Sequence, residues 1–235
     1  MADLASRTTT TVTYDPDILI EEYGFDDHFH DHHHGDKYQS GFIGHYIFSM
    51  DHKIIARQFL FTGMFWAIIG AAMSIIFRLQ LGFPEESMAW LKPILGKWIV
   101  VDADGFGTLA PEFYYALVTM HGTIIVFFVL TAGLSGTFSN LLIPLQLGAR
   151  DMASPFLNML SYWFFFMASV VMFYSLFLNT GPFAGGWTAY PPLSALPQAS
   201  SGSAGGMTLW LVSLTLFVVS VLLGGINYVT TVLNL

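Results

Sequence analysis

The chain has 235 residues, of which 54% are hydrophobic, 16% are aromatic and only 10% are charged. A soluble domain carries roughly a quarter of its residues as Asp, Glu, Lys or Arg, so this composition excludes an ordinary water-soluble protein and indicates a lipid environment. The absence of Cys excludes disulfides, thiolate metal sites and cysteine nucleophiles. The net charge of −8 is unevenly placed: most acidic residues lie between Asp3 and Asp51, and no charged residue follows Asp151.

Residues 1–40 are predicted to be a disordered extension rich in His and acidic residues. They combine few aliphatic side chains with a surplus of charge, and they lack the cationic and apolar regions of a secretory signal. The histidine-rich segment His28–His34 contains ligands suited to Zn or Cu. A flexible arm has no fixed geometry to select a metal, however, so a solvated polar tail is the favoured interpretation.

Four apolar segments follow, over residues 41–235. A helix rises about 1.5 Å per residue, so about 20 residues cross a hydrocarbon core of about 30 Å. Because backbone polar groups in lipid must be paired within the segment, each segment is expected to be helical. We predict spans at about 58–77, 113–143, 155–178 and 207–235, with Pro144 ending the second. The predicted fold class is therefore all-α, an integral membrane bundle of four transmembrane helices.

The basic residues near the span ends favour a cytoplasmic N-terminus by the positive-inside rule, although the bias is slight. On the side of the N-terminus lie Lys37, Lys53, Arg57 and Arg150, and on the other side Arg78, Lys92 and Lys97. The chain ends at Leu235 in an apolar segment without a polar tail. This ending predicts a truncated or split chain.

His121 is the one histidine inside a predicted span. An ionisable residue in a span is costly and suggests a function. A neutral imidazole among apolar residues suits haem iron, and Gly122 beside it would admit a flat macrocycle. Tyr114, His121 and Phe128 recur every seven residues and so share one helix face. The alternative is a packed histidine hydrogen-bonded to a neighbouring helix, and the residues alone favour neither interpretation.

Arg78 ends the first predicted span on the side where the second begins. A terminal Arg commonly extends its charged group to the membrane interface, and the residues alone favour that fate. Its planar donors could instead bond an acceptor on a cofactor.

A candidate polar path lies at the opposite membrane face. Asp151 stands at the start of the third span, Asn158 follows one heptad later, and Asn140 is near the end of the second span. A carboxylate followed by amides can hold a file of waters that conducts protons. The alternative is that Asp151 is merely a helix N-terminal acid favoured by the macrodipole. This alternative is weaker because Asn140 and Asn158 are expected near Asp151 at the same membrane face.

Six motifs make this sequence resemble subunit I of the haem-copper oxidases, in the cytochrome c oxidase branch. In chain order they are Ser49–Lys53, Val118–Gly122, Asn140–Leu145, Gly148–Ala153, Gly186–Leu193 and Gly224–Thr231. The resemblance begins at about residue 41 and covers the N-terminal portion of that subunit, the first four of the family's twelve helices.

The resemblance implies a haem site. His121 matches a ligand of the low-spin haem a, and Arg78 matches an arginine that bonds the formyl group of that haem, which reverses the preference for the interface. Tyr114 matches a tyrosine near the haem edge. Trp187 and Tyr190 match loop residues near the haem propionates.

The resemblance also implies a proton path, the D-channel of the family. Its entrance is matched by Asp151, Asn140 and Asn158, and positions further along it by Ser161, Ser220 and Asn227.

The complete enzyme implied by the resemblance transfers electrons from cytochrome c through haem a to a haem-copper centre that reduces oxygen, and pumps protons. The copper ligands, the high-spin haem ligand and the second haem a ligand belong to later helices, so this chain alone lacks them. The implied partners are the remainder of subunit I, a copper-bearing subunit II, subunit III and cytochrome c, in the cytoplasmic membrane of a bacterium. No nucleic acid is expected.

Two alternative functions stay open. A quinol oxidase of the same superfamily shares these motifs and differs in its electron donor. A non-catalytic four-helix membrane protein with one structural histidine belongs to a different class, and a haem absorption spectrum would distinguish it.

Overall fold

The computed structural model describes residues 43–196 and 203–234. A short π-helix occupies Ile43–Ile47, and the elements after it lie in one compact unit, Tyr46–Leu235. The predicted extension at 1–40, with its histidine-rich segment, and Leu235 at the chain end lie outside the described residues.

Four helices in the described part of the chain are long and apolar enough to cross a membrane, which confirms the predicted all-α bundle of four spans. They are α1 (His52–Gly82), α2 (Pro111–Leu147), α3 (Pro155–Ser175) and α4 (Ser203–Asn234). The second helix is continuous through an α-helical stretch Pro111–Thr123, a π-helical stretch Ile124–Ser135 and a second α-helical stretch Gly136–Leu147.

The helix ends differ from the predicted bounds where local capping decides them. The first helix starts at His52 because the Asp51 carboxylate accepts a hydrogen bond from the Lys53 amide at 2.8 Å. Pro144 lies inside α2 rather than ending it, since a proline this near the end removes one hydrogen bond while the helix continues beyond it. Gly148, with a left-handed φ of 70°, ends the helix. The third helix ends at Ser175 rather than 178.

The first two spans cross at a position where both helices have glycine. A Cβ built on Gly63 would lie only 2.8 Å from the Cα of Gly133, and one on Gly136 would lie 2.7 Å from the Phe59 ring. Later residues of α1 meet earlier residues of α2, so the two helices are antiparallel. Lipid tails are as apolar as the side chains, so helices associate in a bilayer through such close packing of small residues.

The third and fourth spans are also antiparallel, and hydrogen bonds join them. The Ser213 hydroxyl donates to the Ala168 carbonyl at 2.6 Å, and the Ser220 hydroxyl donates to the Ser161 carbonyl at 2.7 Å. Both serines are buried. Interhelical hydrogen bonds of this kind hold spans together in lipid.

All four spans contribute one ring to a buried aromatic core. The Phe128 ring of α2 lies 5.2 Å from Trp66 of α1, 5.8 Å from Phe165 of α3 and 5.9 Å from Phe217 of α4, measured between ring centroids. Tilted aromatic pairs at these distances are favourable beyond their buried area. The core therefore fixes the four helices around the middle of α2.

The connection between α1 and α2 contains a small hairpin that the sequence analysis did not predict. Strand β1 (Ile99–Val101) pairs antiparallel with β2 (Gly107–Leu109). Before it come 3₁₀ turns at Ala89–Leu91 and Gly96–Trp98 and a one-turn helix at Lys92–Leu95. The Gln80 side chain accepts a hydrogen bond from the Leu109 amide at 2.9 Å, which attaches the hairpin to the end of α1.

The glycine crossing generates a test of the fold. Gly63→Leu should lower the free energy of unfolding in detergent by about 1–3 kcal/mol, the typical cost of overpacking, because its Cβ meets backbone that cannot move aside. Gly82→Ala is the matched control, since nothing lies within 4 Å of that position. Thermal unfolding followed by circular dichroism measures both. Equal stability of the two variants would contradict the close crossing.

Candidate functional site

His121 is held on α2 by a hydrogen bond from one of its ring nitrogens to the neighbouring helix. Its Nδ1 lies 2.9 Å from the Gly70 carbonyl oxygen of α1. A carbonyl only accepts hydrogen bonds, so Nδ1 carries the proton and a neutral ring presents an unprotonated Nε2. Metal-binding histidines are commonly oriented by such a bond to a carbonyl. The residue therefore fits an axial ligand of haem iron.

Gly70 allows this contact because it brings the two helices together. A Cβ at Gly70 would lie 2.7 Å from the Cδ1 atom of Ile125. The hydrogen bond is the one expected for a packed histidine, but it occupies only one ring nitrogen. No hydrogen bond of Nε2 is found within residues 43–196 and 203–234, so that nitrogen remains available to a ligand.

Two of the predicted haem residues, Tyr114 and His121, contact the same aromatic side chain, and Arg78 is next to it in the sequence. The Phe77 ring is 5.6 Å from the His121 ring and 6.2 Å from the Tyr114 ring, so Tyr114 and His121 flank one aromatic side chain at the end of α1. Arg78 follows Phe77, is exposed, and makes no hydrogen bond or ion pair with any described residue. Its guanidinium is therefore free to bond an acceptor on a cofactor.

Trp187 reaches the same region from the connection between α3 and α4. A Cβ built on Gly122 would lie 3.5 Å from the Trp187 ring, so the indole lies beside the residue that follows His121. The Gly186 amide donates to the Thr119 hydroxyl at 3.0 Å, which anchors this connection to α2. Tyr190 is 76% exposed, and no side-chain contact joins it to the other haem residues in the part of the chain that is described.

Asp151 lies in the connection between α2 and α3, not at the start of a helix. Ser154 caps α3, because its hydroxyl accepts a hydrogen bond from the Leu157 amide at 3.4 Å. The interpretation of Asp151 as a helix N-terminal acid is therefore wrong. Its carboxylate accepts instead from the Met152 amide at 2.7 Å.

His52 is the partner of Asp151 that the sequence analysis missed. The Nδ1 atom of His52 lies 3.2 Å from Oδ1 of Asp151, and His52 is 5% exposed. The pair joins the start of α1 to the α2–α3 connection across a long stretch of sequence. Only the motif Ser49–Lys53 could have indicated it, and that motif does not name a partner.

Three buried amides continue from Asp151 into the bundle. Asn140, Asn158 and Asn227 are at most 1% exposed. The Asn227 oxygen accepts from the Ser154 amide at 2.9 Å. The Asn227 nitrogen, the Asn140 oxygen and both amide atoms of Asn158 have no partner in the part of the chain that the structure describes. An unsatisfied buried polar atom costs about 1–3 kcal/mol. Since buried water commonly satisfies such atoms, these amides fit a hydrated path.

A cavity of about 180 Å³ lies further along the same side of the bundle, between α2, α3 and α4. Its lining includes Ser161, Ser220 and Tyr228. The Ser161 hydroxyl donates to the Asn158 carbonyl at 2.7 Å, which connects the cavity to the amides. One water needs roughly 10–15 Å³ of such space, so the cavity can hold several.

Comparison with known proteins assigns the chain to a family. Residues 54–235 match the family described as cytochrome c and quinol oxidase polypeptide I. The chain belongs to this family, the first subunit of the haem-copper oxidases, which confirms the resemblance carried by the six motifs. The family implies haem and copper as cofactors and other subunits as partners.

Particular relatives carry cytochrome c oxidase names. The chain is 41% identical over 189 residues to the alternative cytochrome c oxidase subunit 1 of Bradyrhizobium diazoefficiens, covering 80% of this chain and 29% of that protein. It is 35% identical over 192 residues to cytochrome c oxidase subunit 1 of Synechocystis, covering 81% and 30%. The haem-copper oxidase subunit I+III of Aeropyrum pernix is 32% identical over 187 residues, covering 80% and 20%. The chain thus spans less than a third of these relatives.

The unpaired amide atoms generate a test of hydration. In a dry site, Asn158→Leu would raise the free energy of unfolding by about 1–3 kcal/mol, because it removes two unsatisfied polar atoms. In a hydrated site we expect a change within about 0.5 kcal/mol, since water already satisfies the amide. Met159→Leu is the control on the same helix. Thermal unfolding in detergent measures both variants, and a clear stabilisation by Asn158→Leu alone would show that the path is dry.

Proposed function

We propose that this chain is part of the catalytic subunit of a proton-pumping terminal respiratory oxidase. The complete enzyme transfers electrons from cytochrome c through haem a to a haem-copper centre, where oxygen is reduced to water. The observation that supports this most directly is the tautomer of His121, whose Nδ1 is bonded to Gly70 while Nε2 is open to iron. Family membership supplies the reaction class.

Haem a, when bound, supplies the iron that accepts and passes single electrons. In this chain His121 would hold that iron through Nε2, and Gly70 keeps the ring in the required orientation. Arg78 would donate to the formyl group, with Tyr114 near the haem edge. Trp187 and Tyr190 would lie toward the propionates, at the end of the bundle where Trp187 contacts the side of α2 next to His121.

The polar residues at the other end of the bundle would take up protons. Asp151 would collect a proton from the side of the N-terminus, with His52 held against its carboxylate. The unpaired atoms of Asn140, Asn158 and Asn227 would order waters that lead to the cavity lined by Ser161 and Ser220. Moving a charge across the membrane potential takes about 2.3 kcal/mol per 100 mV, so an effective pump needs this path confined within apolar helices.

The partners would be the remainder of subunit I, which in the family carries the copper and high-spin haem ligands, a copper-bearing subunit II and subunit III. The name of the Aeropyrum pernix relative joins subunits I and III, which supports the last of these. We place the chain in the cytoplasmic membrane of a bacterium with its N-terminus in the cytoplasm, as the basic residues near the span ends favour.

The family description covers quinol oxidases as well, so a quinol is the second candidate electron donor. The names of the Bradyrhizobium and Synechocystis relatives favour cytochrome c. Turnover of the complete complex with reduced cytochrome c and with a reduced quinol distinguishes the two. A non-catalytic membrane protein is disfavoured by the match of residues 54–235 to the oxidase family.

His121→Ala in the complete complex should abolish the low-spin haem absorption, because the imidazole that coordinates the iron is removed. Reduced-minus-oxidised spectra of the purified complex measure this. His52→Ala is the matched control, since it removes a buried histidine at the other end of the bundle and should leave the low-spin spectrum intact. A normal low-spin spectrum in His121→Ala would refute the haem assignment.

Asp151→Asn should slow proton uptake and turnover by about 10-fold or more, because positioned proton transfer groups typically contribute factors of 10²–10⁴. Folding should survive, since the remaining oxygen can still accept from the Met152 amide. Stopped-flow measurement of proton uptake with a pH dye tests this. Asp104→Asn, in the exposed hairpin turn, is the control. Pumping at the normal rate and stoichiometry in Asp151→Asn would contradict the assignment.

A further inference from the structure

Tyr228 stands where the amides of the polar path meet the cavity. Its hydroxyl oxygen lies 3.1 Å from the Nδ2 atom of Asn140, and its side chain lines the cavity. A Cβ built on Gly224 would lie 3.6 Å from the Tyr228 hydroxyl and 3.8 Å from the Ser161 hydroxyl. The tyrosine oxygen therefore contacts Asn140, and the hydroxyls of Tyr228 and Ser161 both lie beside Gly224.

The direction of the hydrogen bond between Asn140 and Tyr228 is determined by a third group. The same Nδ2 atom of Asn140 lies 2.7 Å from the Gly136 carbonyl oxygen. A carbonyl only accepts, so the amide nitrogen, and not its oxygen, must point this way. Asn140 consequently donates to the Tyr228 oxygen, and the hydroxyl hydrogen of Tyr228 is left to donate elsewhere. The Tyr228 side chain lines the cavity, so a water there would accept this hydrogen bond.

The two serines that line the cavity can only accept hydrogen bonds from it, whereas Tyr228 can donate one. The Ser161 hydroxyl hydrogen is used by the Asn158 carbonyl, and the Ser220 hydroxyl hydrogen is used by the Ser161 carbonyl. Each serine therefore offers only lone pairs to the cavity. A water between these groups accepts from Tyr228 and donates to a serine, so its O–H bonds point from Tyr228 toward Ser161 and Ser220.

We propose that Tyr228 is a positioning residue that sets the direction of the water hydrogen bonds in the proton path. This inference rests on the proposed function. A proton hopping along waters requires each O–H bond to point forward beforehand: each water accepts one proton from behind and releases another ahead. The direction imposed by Tyr228 is the forward one for transfer from Asp151 toward Ser220. Tyr228 stays protonated throughout.

After each proton passes, the waters point backward and must turn before the next one. The hydroxyl of Tyr228, held by Asn140, favours that return. Its loss should therefore slow steady proton uptake without affecting electron transfer into the haem, which distinguishes a positioning role from a general loss of structure.

The test is Tyr228→Phe in the complete oxidase complex, which keeps the ring and removes the hydroxyl. We expect proton uptake to slow about 3- to 10-fold, the factor that corresponds to one hydrogen bond, with a larger solvent isotope effect and an unchanged rate of haem reduction. Tyr162→Phe is the matched control: it removes another buried hydroxyl, bonded to Thr62 at 3.2 Å, that does not line the cavity. It should slow proton uptake less than about 2-fold.

A second variant tests the same geometry without touching the tyrosine. Gly224→Ala puts a methyl at ordinary contact distance from the hydroxyls of both Tyr228 and Ser161, where it would occupy space proposed for water, and should slow uptake similarly. Normal proton uptake in both Tyr228→Phe and Gly224→Ala would overturn the inference, and so would equal slowing by Tyr228→Phe and Tyr162→Phe. The proposed function would remain intact in either case if Asp151→Asn still slows uptake. Normal uptake in Asp151→Asn would overturn both.

Discussion

The constraint on which this structure depends is the absence of water as a hydrogen-bond partner inside a bilayer. Every polar group in a span must be satisfied by the protein or by water held within it. Most buried hydroxyls obey this rule through a carbonyl, as Ser213 does with Ala168. The Asn140 side-chain oxygen and both side-chain amide atoms of Asn158 have no partner among the described residues. Where the rule is broken repeatedly on one side of a bundle, the unsatisfied atoms mark a path for water, which supports the proposed role in proton transfer.

Close packing of helices and construction of the candidate haem site use the same residues. Glycines let α1 and α2 approach until backbone meets backbone at Gly63 and Gly133. Two turns further along α1, the close approach of the same two helices lets the Gly70 carbonyl reach Nδ1 of His121. A larger residue at Gly70 would press against the side chains of Ile124 and Ile125 on α2. The tautomer of His121 is thus a consequence of helix packing.

The bundle separates two kinds of chemistry along its length. The side chains proposed to hold haem gather near the start of α2 and the end of α1, where Phe77 contacts both Tyr114 and His121. The proposed proton path begins at Asp151, after the end of α2. Between them lies the aromatic core around Phe128, which is fully buried. In the proposed function, an apolar barrier of this kind would limit proton leakage outside the polar path.

Sequence alone determined the four spans, the one histidine inside the predicted spans and the family, because hydropathy over about 20 residues and six ordered motifs are local properties of the chain. It did not determine the helix ends: Pro144 was expected to stop α2, and Gly148 does so. Only the tertiary structure paired His52 with Asp151, turned His121 toward Gly70 and placed Tyr228 against Asn140. Those contacts join residues on different helices. Their distances and hydrogen-bond directions depend on how closely the helices pack, which no local pattern of residues records.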